Sequence, residues 1–423
     1  MGGEYLTPGI VEPGVSSLPE GWRVVRLGEV CSVYPGGRLG LTKANHYTAS
    51  GYAAFSAAGQ DGYVERAEFR DTEGVVLSSI GANCGRCFLA TRSWTTLANT
   101  QAILPGRDLD PRYLFQRVDS VDYWPRSGSA QPFIKPSSIR ECWLLLPPLP
   151  EQRRIAEILD TLDATIRKTE ELIAKLRQAK KGLVHDLLTR GLDENSELRD
   201  PARHPEQFKD SELGRIPRGW GVATLGSMAD SITSGSRGWA RYYSEAGPLF
   251  VRIANLTREH INLDLGSVVH VRPPMGMEGQ RTLLQTGDVL ISITADLGII
   301  GVIPADFGEA YVNQHIALVR LDSSKARSRW AGHYLHSSEG QWQFRESNDQ
   351  GAKAGLNLPT IAATLVPLPP LPEQDQIVAQ IDELDERVEI ELAETEKLRT
   401  LKTGLMDDLL TGRVRVPVPE AST

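Results

Sequence analysis

The chain carries a long internal repeat in constant register, and such a repeat limits the fold more than any single motif does. Pro147-Pro148-Leu149-Pro150-Glu151-Gln152 returns 222 positions later as Pro369-Pro370-Leu371-Pro372-Glu373-Gln374. The match continues through Lys175-Leu176-Arg177 and Lys397-Leu398-Arg399 to Asp186-Leu187-Leu188-Thr189 and Asp408-Leu409-Leu410-Thr411. The prolines fix an extended lead-in, and no proline interrupts the residues beyond it, so both copies are predicted to be long helices. In the first copy Ile155, Leu159, Leu162, Ile166, Ile173, Leu176, Leu183 and Leu187 keep to steps of four and three, with Thr169 and Lys180 weakening the seam. In the second the seam is Ile377, Ile381, Leu384, Val388, Leu398, Leu405 and Leu409, softened at Glu391, Thr395 and Lys402. Such spacing is the apolar stripe of a coiled coil. Two unrelated amphipathic helices, each packed on its own domain, would not explain the shared register. The first helix is rich in base (Arg153, Arg154, Arg167, Lys168, Lys175, Arg177, Lys180, Lys181) and the second in acid (Asp382, Glu383, Asp385, Glu386, Glu389, Glu391, Glu394, Glu396), which favours pairing with each other over self-pairing.

The repeat is larger than the helices. Leu18-Pro19-Glu20-Gly21-Trp22 and Arg26-Leu27-Gly28 are echoed by Ile216-Pro217-Arg218-Gly219-Trp220 and Thr224-Leu225-Gly226. Each half is therefore a globular region followed by a helix. The runs Gly74 to Ile80, Gly287 to Ile293, Phe250 to Ala254 and Ile316 to Leu321 read as strands, while Pro111 to Val118 and Ala331 to Phe344 read as helices, so each region is mixed α+β. The expected organisation is a tail (1–17), a first domain (18–146), a first spacer helix (147–190), an exposed linker (191–215), a second domain (216–366), a second spacer helix (367–412) and a C-terminal tail (413–423). Across 423 residues, 40% hydrophobic content is enough for real cores. No apolar run is long enough to span a membrane, and the polar start is no signal peptide. Four scattered cysteines point to a reducing, cytoplasmic setting. The net charge of −8 does not advertise nucleic-acid binding, but much of the acid sits in the second helix, leaving room for a local basic face on each domain.

Signatures of catalysis are missing: there is no phosphate-binding GxxxxGK[ST] loop, no HExxH zinc helix and no GxSxG nucleophile turn. Asn357-Leu358-Pro359 is a poor substitute for the loop of amino-methyltransferases, and no glycine-rich S-adenosylmethionine loop is present. Cys84-Gly85-Arg86-Cys87 is a lone CxxC without the further ligands zinc needs, and the histidines lack metal spacing, so no metal site is expected. The candidate nucleic-acid contacts are loop clusters. In the first domain they are Arg38, Lys43, Asn45, Tyr47, Arg126, Gln131 and Lys135. In the second they are Arg237, Arg241, Tyr242, Tyr243, Asn255, Arg258, Lys353 and Asn357. Arg and Lys suit guanine, Asn and Gln suit adenine, and the remainder suit phosphate.

With its doubled Pro-Pro-Leu-Pro-Glu-Gln helix, doubled Pro-x-Gly-Trp opening and globular–helix–globular–helix order, the chain resembles the specificity subunit of type I restriction–modification enzymes over nearly its whole length. The resemblance implies an α+β architecture: two mixed α/β target-recognition domains separated by two long antiparallel helices that form a coiled coil, with a pseudo-two-fold internal repeat. It also implies a non-catalytic reader of double-stranded DNA, each domain reading one half of a split, asymmetric site. Two methyltransferase (modification) subunits, which use S-adenosylmethionine, would sit on the helices, and restriction (translocase-nuclease) subunits would join that core. The chain itself would hold no cofactor. A helix of this length spans about 60 Å, which at about 3.4 Å per base pair makes the helices a ruler for the gap between half-sites. The rival readings are an adaptor joining two protein-recognition domains, and a metal-dependent nuclease using scattered Asp and Glu.

Overall fold

Residues 18–128, 130–235, 237–273, 276–349 and 356–417 are described by the structure, a computed structural model. The tail expected over 1–17 lies outside the described residues, as do 418–423. The chain divides into two compact units, Met1–Glu171 with Ala393–Thr423, and Leu172–Leu392.

In the first unit Arg23–Arg26 pairs antiparallel with Trp143–Leu146. A four-stranded antiparallel sheet runs Cys31–Pro35, Thr100–Pro105, Gly74–Ser78, Cys87–Ala90. A three-stranded sheet runs Gly59–Val64, Tyr52–Ser56, Trp94–Thr96, its last pair parallel. The second unit has the same three sheets: Gly221–Thr224 with Leu365–Leu368; Ala229–Ser234, Ile316–Leu321, Val289–Ser292, Ile300–Val302; and His270–Val271, Tyr243–Val251, Ala310–Val312. The inner strands Gly74–Ser78 and Val289–Ser292 are buried at every residue, as continuous aliphatic runs covered on both faces must be. One cover is a helix in each unit. Pro111–Val118 starts on Asp110, whose carboxylate accepts the Arg112 and Tyr113 amides and whose neighbour Pro111 lacks the N–H that would go unsatisfied there. Its counterpart is Ser328–His336.

Three expectations are corrected. The strand expected over Phe250 to Ala254 stops at Val251, and Ile253–Asn255 is a 3-10 turn. The helix expected over Ala331 to Phe344 ends at His336 and restarts as Ser338–Asp349, because the Ser337 amide closes the first helix on the His333 and Tyr334 carbonyls. The segment expected to be an exposed linker is structured: Leu192 and Phe208 are buried, and Phe208–Ser211 forms a hairpin with Gly214–Pro217.

The long helices are Leu149–Arg190, 42 residues, and Leu371–Leu410, 40 residues. Ile155, Leu159, Ile166, Ile173, Leu187, Ile377, Ile381 and Leu409 of the seam are buried, and Leu162, Leu176, Leu183, Leu384, Val388, Leu398 and Leu405 are half-buried. Burying each large aliphatic side chain contributes roughly 1.5–3 kcal/mol. Within the first unit the helix segments run antiparallel: Asp163 accepts from Lys402 at 2.6 Å, Glu170 accepts from Arg399 at 2.6 Å, and Ile155 and Leu159 share a core with Leu409 and Leu410. The second unit repeats this, with Lys180 on Asp385 and Leu187 and Leu188 packed with Ile377 and Ile381. The expected segregation of base on one helix and acid on the other is therefore not the source of the pairing. Each helix supplies both signs, and the lysines that interrupt the seam are the partners of Asp385 and Asp163.

The doubled motifs meet at one joint per unit. Trp22 donates its indole N–H to Glu151 at 3.0 Å, and Arg415 holds the same carboxylate through both of its oxygens at 2.7 and 2.9 Å. Trp220 donates to Glu373 at 3.1 Å, and Arg199 grips that carboxylate at 2.6 and 3.3 Å. The neighbouring glutamines cap the domain helices: Gln152 accepts the Asp110 amide at 2.8 Å, and Gln374 accepts the Arg327 amide at 2.8 Å. The glycine after each Arg/Thr-Leu is forced by crowding, since a Cβ at Gly28 would sit 2.9 Å from the Arg140 Cβ and one at Gly226 3.0 Å from the Ala362 carbonyl oxygen.

Candidate nucleic-acid interface

In the first unit a loop from Ser127 to Lys135 is strapped onto the segment after the inner strand. Gly81 donates to the Pro132 carbonyl and Ile134 to the Ser79 carbonyl, each at 2.9 Å, and Ser127 and Phe133 exchange backbone bonds. The strap holds exposed Gln131 and Lys135 at the rim of a cleft of about 400 Å³, with Gln101 and Ile80 in its wall. Arg126, at the start of the loop, lies 3.6 Å from Asp122.

Lys43, Asn45 and Tyr47 lie on and just after the short helix Lys43–His46. Asp61 gathers the Lys43 ammonium at 2.7 Å, the Ser56 hydroxyl at 2.7 Å and the Tyr47 hydroxyl. Burial pushes the Asp61 carboxyl up, but these donors outweigh it and hold it below the usual range. Burial and the same carboxylate push the Tyr47 hydroxyl upward. Asn45 is exposed. Arg38, half-exposed, lies over the Tyr34 ring at 5.2 Å and within 3.5 Å of Glu68. Lys43 and Arg38 are thus each held against a carboxylate of their own unit, Lys43 on Asp61 and Arg38 beside Glu68.

In the second unit Trp239 is buried against Phe250 and Tyr311, with ring centres 5.6 and 5.5 Å apart. That anchor presents Arg241 over the Tyr242 ring at 4.8 Å, with exposed Tyr243 alongside. Arg237 is exposed on the preceding turn. Asn255 departs from expectation: its side chain is buried, its amide donates to the Asp264 and Ser267 carbonyls and its oxygen accepts the Arg252 amide, so it holds a loop and is not turned toward a ligand. Arg258 clamps Asp296 and the Leu297 carbonyl. Asn357 caps the helix Leu358–Ala363 by accepting the Thr360 amide, the position Lys135 takes before Pro136–Glu141 in the first unit. Lys353 lies outside the described residues.

The cysteines of the CxxC are buried thiols that donate to carbonyls, Cys84 to Ser79 and Cys87 to Val118. Among the described residues, one group has ligand atoms close enough to hold a metal ion: His333, Asp382 and Asp385, within 4.8 Å of one another. Its carboxylates are already engaged, Asp382 by Arg329 at 2.6 Å and His333 at 3.0 Å, and Asp385 by Lys180. The first unit builds the same joint with Gln116, whose amide donates to both Asp160 and Asp163 at 3.0 Å. A histidine with one nitrogen on Asp382 leaves Asp385 Oδ2 without a partner beside a cleft of about 510 Å³. The group is a domain-to-helix joint in which histidine replaces glutamine.

A family model described as the type I restriction modification DNA specificity domain matches residues 19–178 and 278–400. The type I restriction enzyme MjaVIII specificity subunit of Methanocaldococcus jannaschii is 25% identical over 94% of each chain. The type I restriction enzyme EcoDI specificity subunit of Escherichia coli is 24% identical over 87% of this chain and 82% of the other. A crystal structure of the type I restriction–modification S subunit from M. genitalium shares the fold with a TM-score of 0.62 at 16% identity, covering 96% of this chain and 99% of that one. Among the described residues no helix is long and apolar enough to cross a membrane.

Proposed function

The chain belongs to the type I restriction–modification DNA specificity family, and from that membership we propose how it works as the DNA-recognition subunit of such a complex. Each unit reads one half of a split target in double-stranded DNA. The halves differ because the loops differ: the first unit offers Gln131 and Lys135 around a cleft, and the second offers Arg237, Arg241, Tyr242 and Tyr243 on an aromatic anchor. The long helices seat two modification subunits, and restriction subunits join that assembly. S-adenosylmethionine and the methyl transfer to adenine belong to the modification subunits. The observation that carries this reading is the building of one topology and one Trp–Glu–Arg joint twice, with unlike side chains on the loops. A scaffold for a single ligand would have no use for two different reading surfaces.

The test is to co-express the chain with its methyltransferase and map modified adenines in host DNA. A two-part motif with unlike halves and a fixed gap is expected. Methylation without sequence preference, or a motif in one block, overturns the reading.

A further inference from the structure

Gln101 stands second in the strand Thr100–Pro105, opposite Leu77 of the inner strand. It is 8% exposed, and its Oε1 has no hydrogen-bond partner among the described residues. A buried amide oxygen left without a donor is unfavourable, so its retention calls for a donor that arrives from outside. The cleft beside it fits that role. Gln131 and Lys135 stand at its mouth, Ile80 is 36% exposed in its wall, and the backbone bonds from Gly81 and Ile134 fix the loop that carries them.

Resting on the DNA-reading function above, we infer that this cleft reads one A·T pair of the first half-site through Gln101. The chemistry selects the base. Adenine presents an N6 amino donor next to an N7 acceptor, which a glutamine matches with its Oε1 and Nε2 together. Guanine presents two acceptors on that edge and leaves Oε1 without a donor. Cytosine offers its N4 donor but has no acceptor of its own on that edge for Nε2. Ile80 provides an apolar contact for the thymine methyl, Gln131 a second amide at the rim, and Lys135 a cation for the phosphate backbone. In the second unit the register place of Gln101 is taken by Ala317, which faces Ile291 as Gln101 faces Leu77, so this amide belongs to the first unit alone.

The experiment uses the full chain assembled with its methyltransferase and compares binding to duplexes in which each base pair of the site is replaced in turn. Wild type is compared with Gln101→Ala and Gln101→Glu. Alanine is expected to reduce discrimination at one A·T position of the first half-site roughly 5- to 150-fold, with the second half read as before. Glutamate, an acceptor only, is expected to move the preference at that position toward cytosine. Unchanged discrimination at every position in both variants overturns the inference, and so does an equal loss in both half-sites, which would mark Gln101 as a packing residue. If wild type itself shows no sequence preference, the DNA-reading function falls, and the assignment of Gln101 falls with it.

Discussion

Trp22 and Glu151, 129 positions apart in the chain, meet at 3.0 Å in a buried hydrogen bond. The pairing of Arg23–Arg26 with Trp143–Leu146 brings them together, since it sets the start of the domain beside the start of the helix. Glu151 is 1% exposed and is neutralised by Arg415. Replacing it with alanine strands an indole N–H and removes the partner of the guanidinium. Glu151→Ala is therefore expected to destabilise the first unit by about 1–3 kcal/mol through the indole N–H left without an acceptor, because the Arg415 side chain, 45% exposed, regains water. Trp22→Phe removes one neutral donor and keeps the Arg415 pair, and is expected to cost less, about 1–2 kcal/mol. Denaturant unfolding of the two variants checks the order. Equal effects would mean that the Arg415 pair adds nothing to the joint beyond the indole bond.

The reciprocal lysine–aspartate pairs make a second prediction. Lys402 and Asp163 are both about a quarter exposed, 23% and 28% at the side chain, so their interaction is only partly screened. Lys402→Ala and Asp163→Ala, combined in a double-mutant cycle, are expected to show a coupling of about 0.5–2 kcal/mol. The more buried Lys180–Asp385 pair should couple more strongly. A coupling of zero for both would assign helix pairing to the apolar seam alone.

These pairs also show how far the sequence is legible. The repeat is visible because its constant register serves joints that each unit must build: Trp, Glu and Gln recur since a strand end, a helix start and a domain helix must be tied together twice. The seam is visible because Ile155, Leu159, Ile377 and Ile381 keep helical spacing. Pairing partners are not, because Lys180 and Lys402 interrupt an apolar stripe and composition does not say which carboxylate lies opposite. Inward or outward orientation is equally hidden. Asn255 in a polar run has the composition of a contact residue, yet its loop turns it inside. Gln101 sits among strand residues that give no such signal, and only an unmatched oxygen in a folded wall marks it.

His333 gives the second unit a pH response that the first lacks. Burial pushes its imidazole below the ordinary histidine range, against the pull of Asp382, with Arg329 opposing and Asp385 assisting protonation. The folded state therefore binds that proton less readily than the unfolded chain does. Stability is full above about pH 6.5, the unfolded value, and falls as pH drops below it. Asp382 acts lower. Burial raises its carboxyl, but bonds from His333 and Arg329 bring it to about 2, so its contribution is present above about pH 4 and is lost as pH falls through about 2. His333→Gln installs the side chain found at Gln116. It is expected to reduce the slope just below pH 6.5, leaving the share that His336 contributes, and to add about 1 kcal/mol by supplying Asp385 Oδ2 with the donor that Asp163 already has. Thermal melts between pH 5 and 8, with wild type and variant in parallel, check both. An unchanged slope would place the titration elsewhere, with His336 and its burial-lowered imidazole as the next candidate.

Helix length should set the gap in the target. A turn of helix advances about 5.4 Å, the rise of one to two base pairs at about 3.4 Å each. Removing one turn from each of Leu149–Arg190 and Leu371–Leu410, between the domain joints and clear of Glu151, Gln152, Glu373 and Gln374, leaves the caps and the Trp22 and Trp220 bonds in place. Both half-sites should then be read as before, with the preferred spacing shortened by one or two base pairs when modified adenines are mapped in cells carrying the variant and its methyltransferase. Shortening only one helix should do worse than shortening both, because Lys402 would lose register with Asp163, or Lys180 with Asp385, and the seam would shift with them. Retention of the original gap by the doubly shortened chain would show that something other than the helices sets the distance between the words being read.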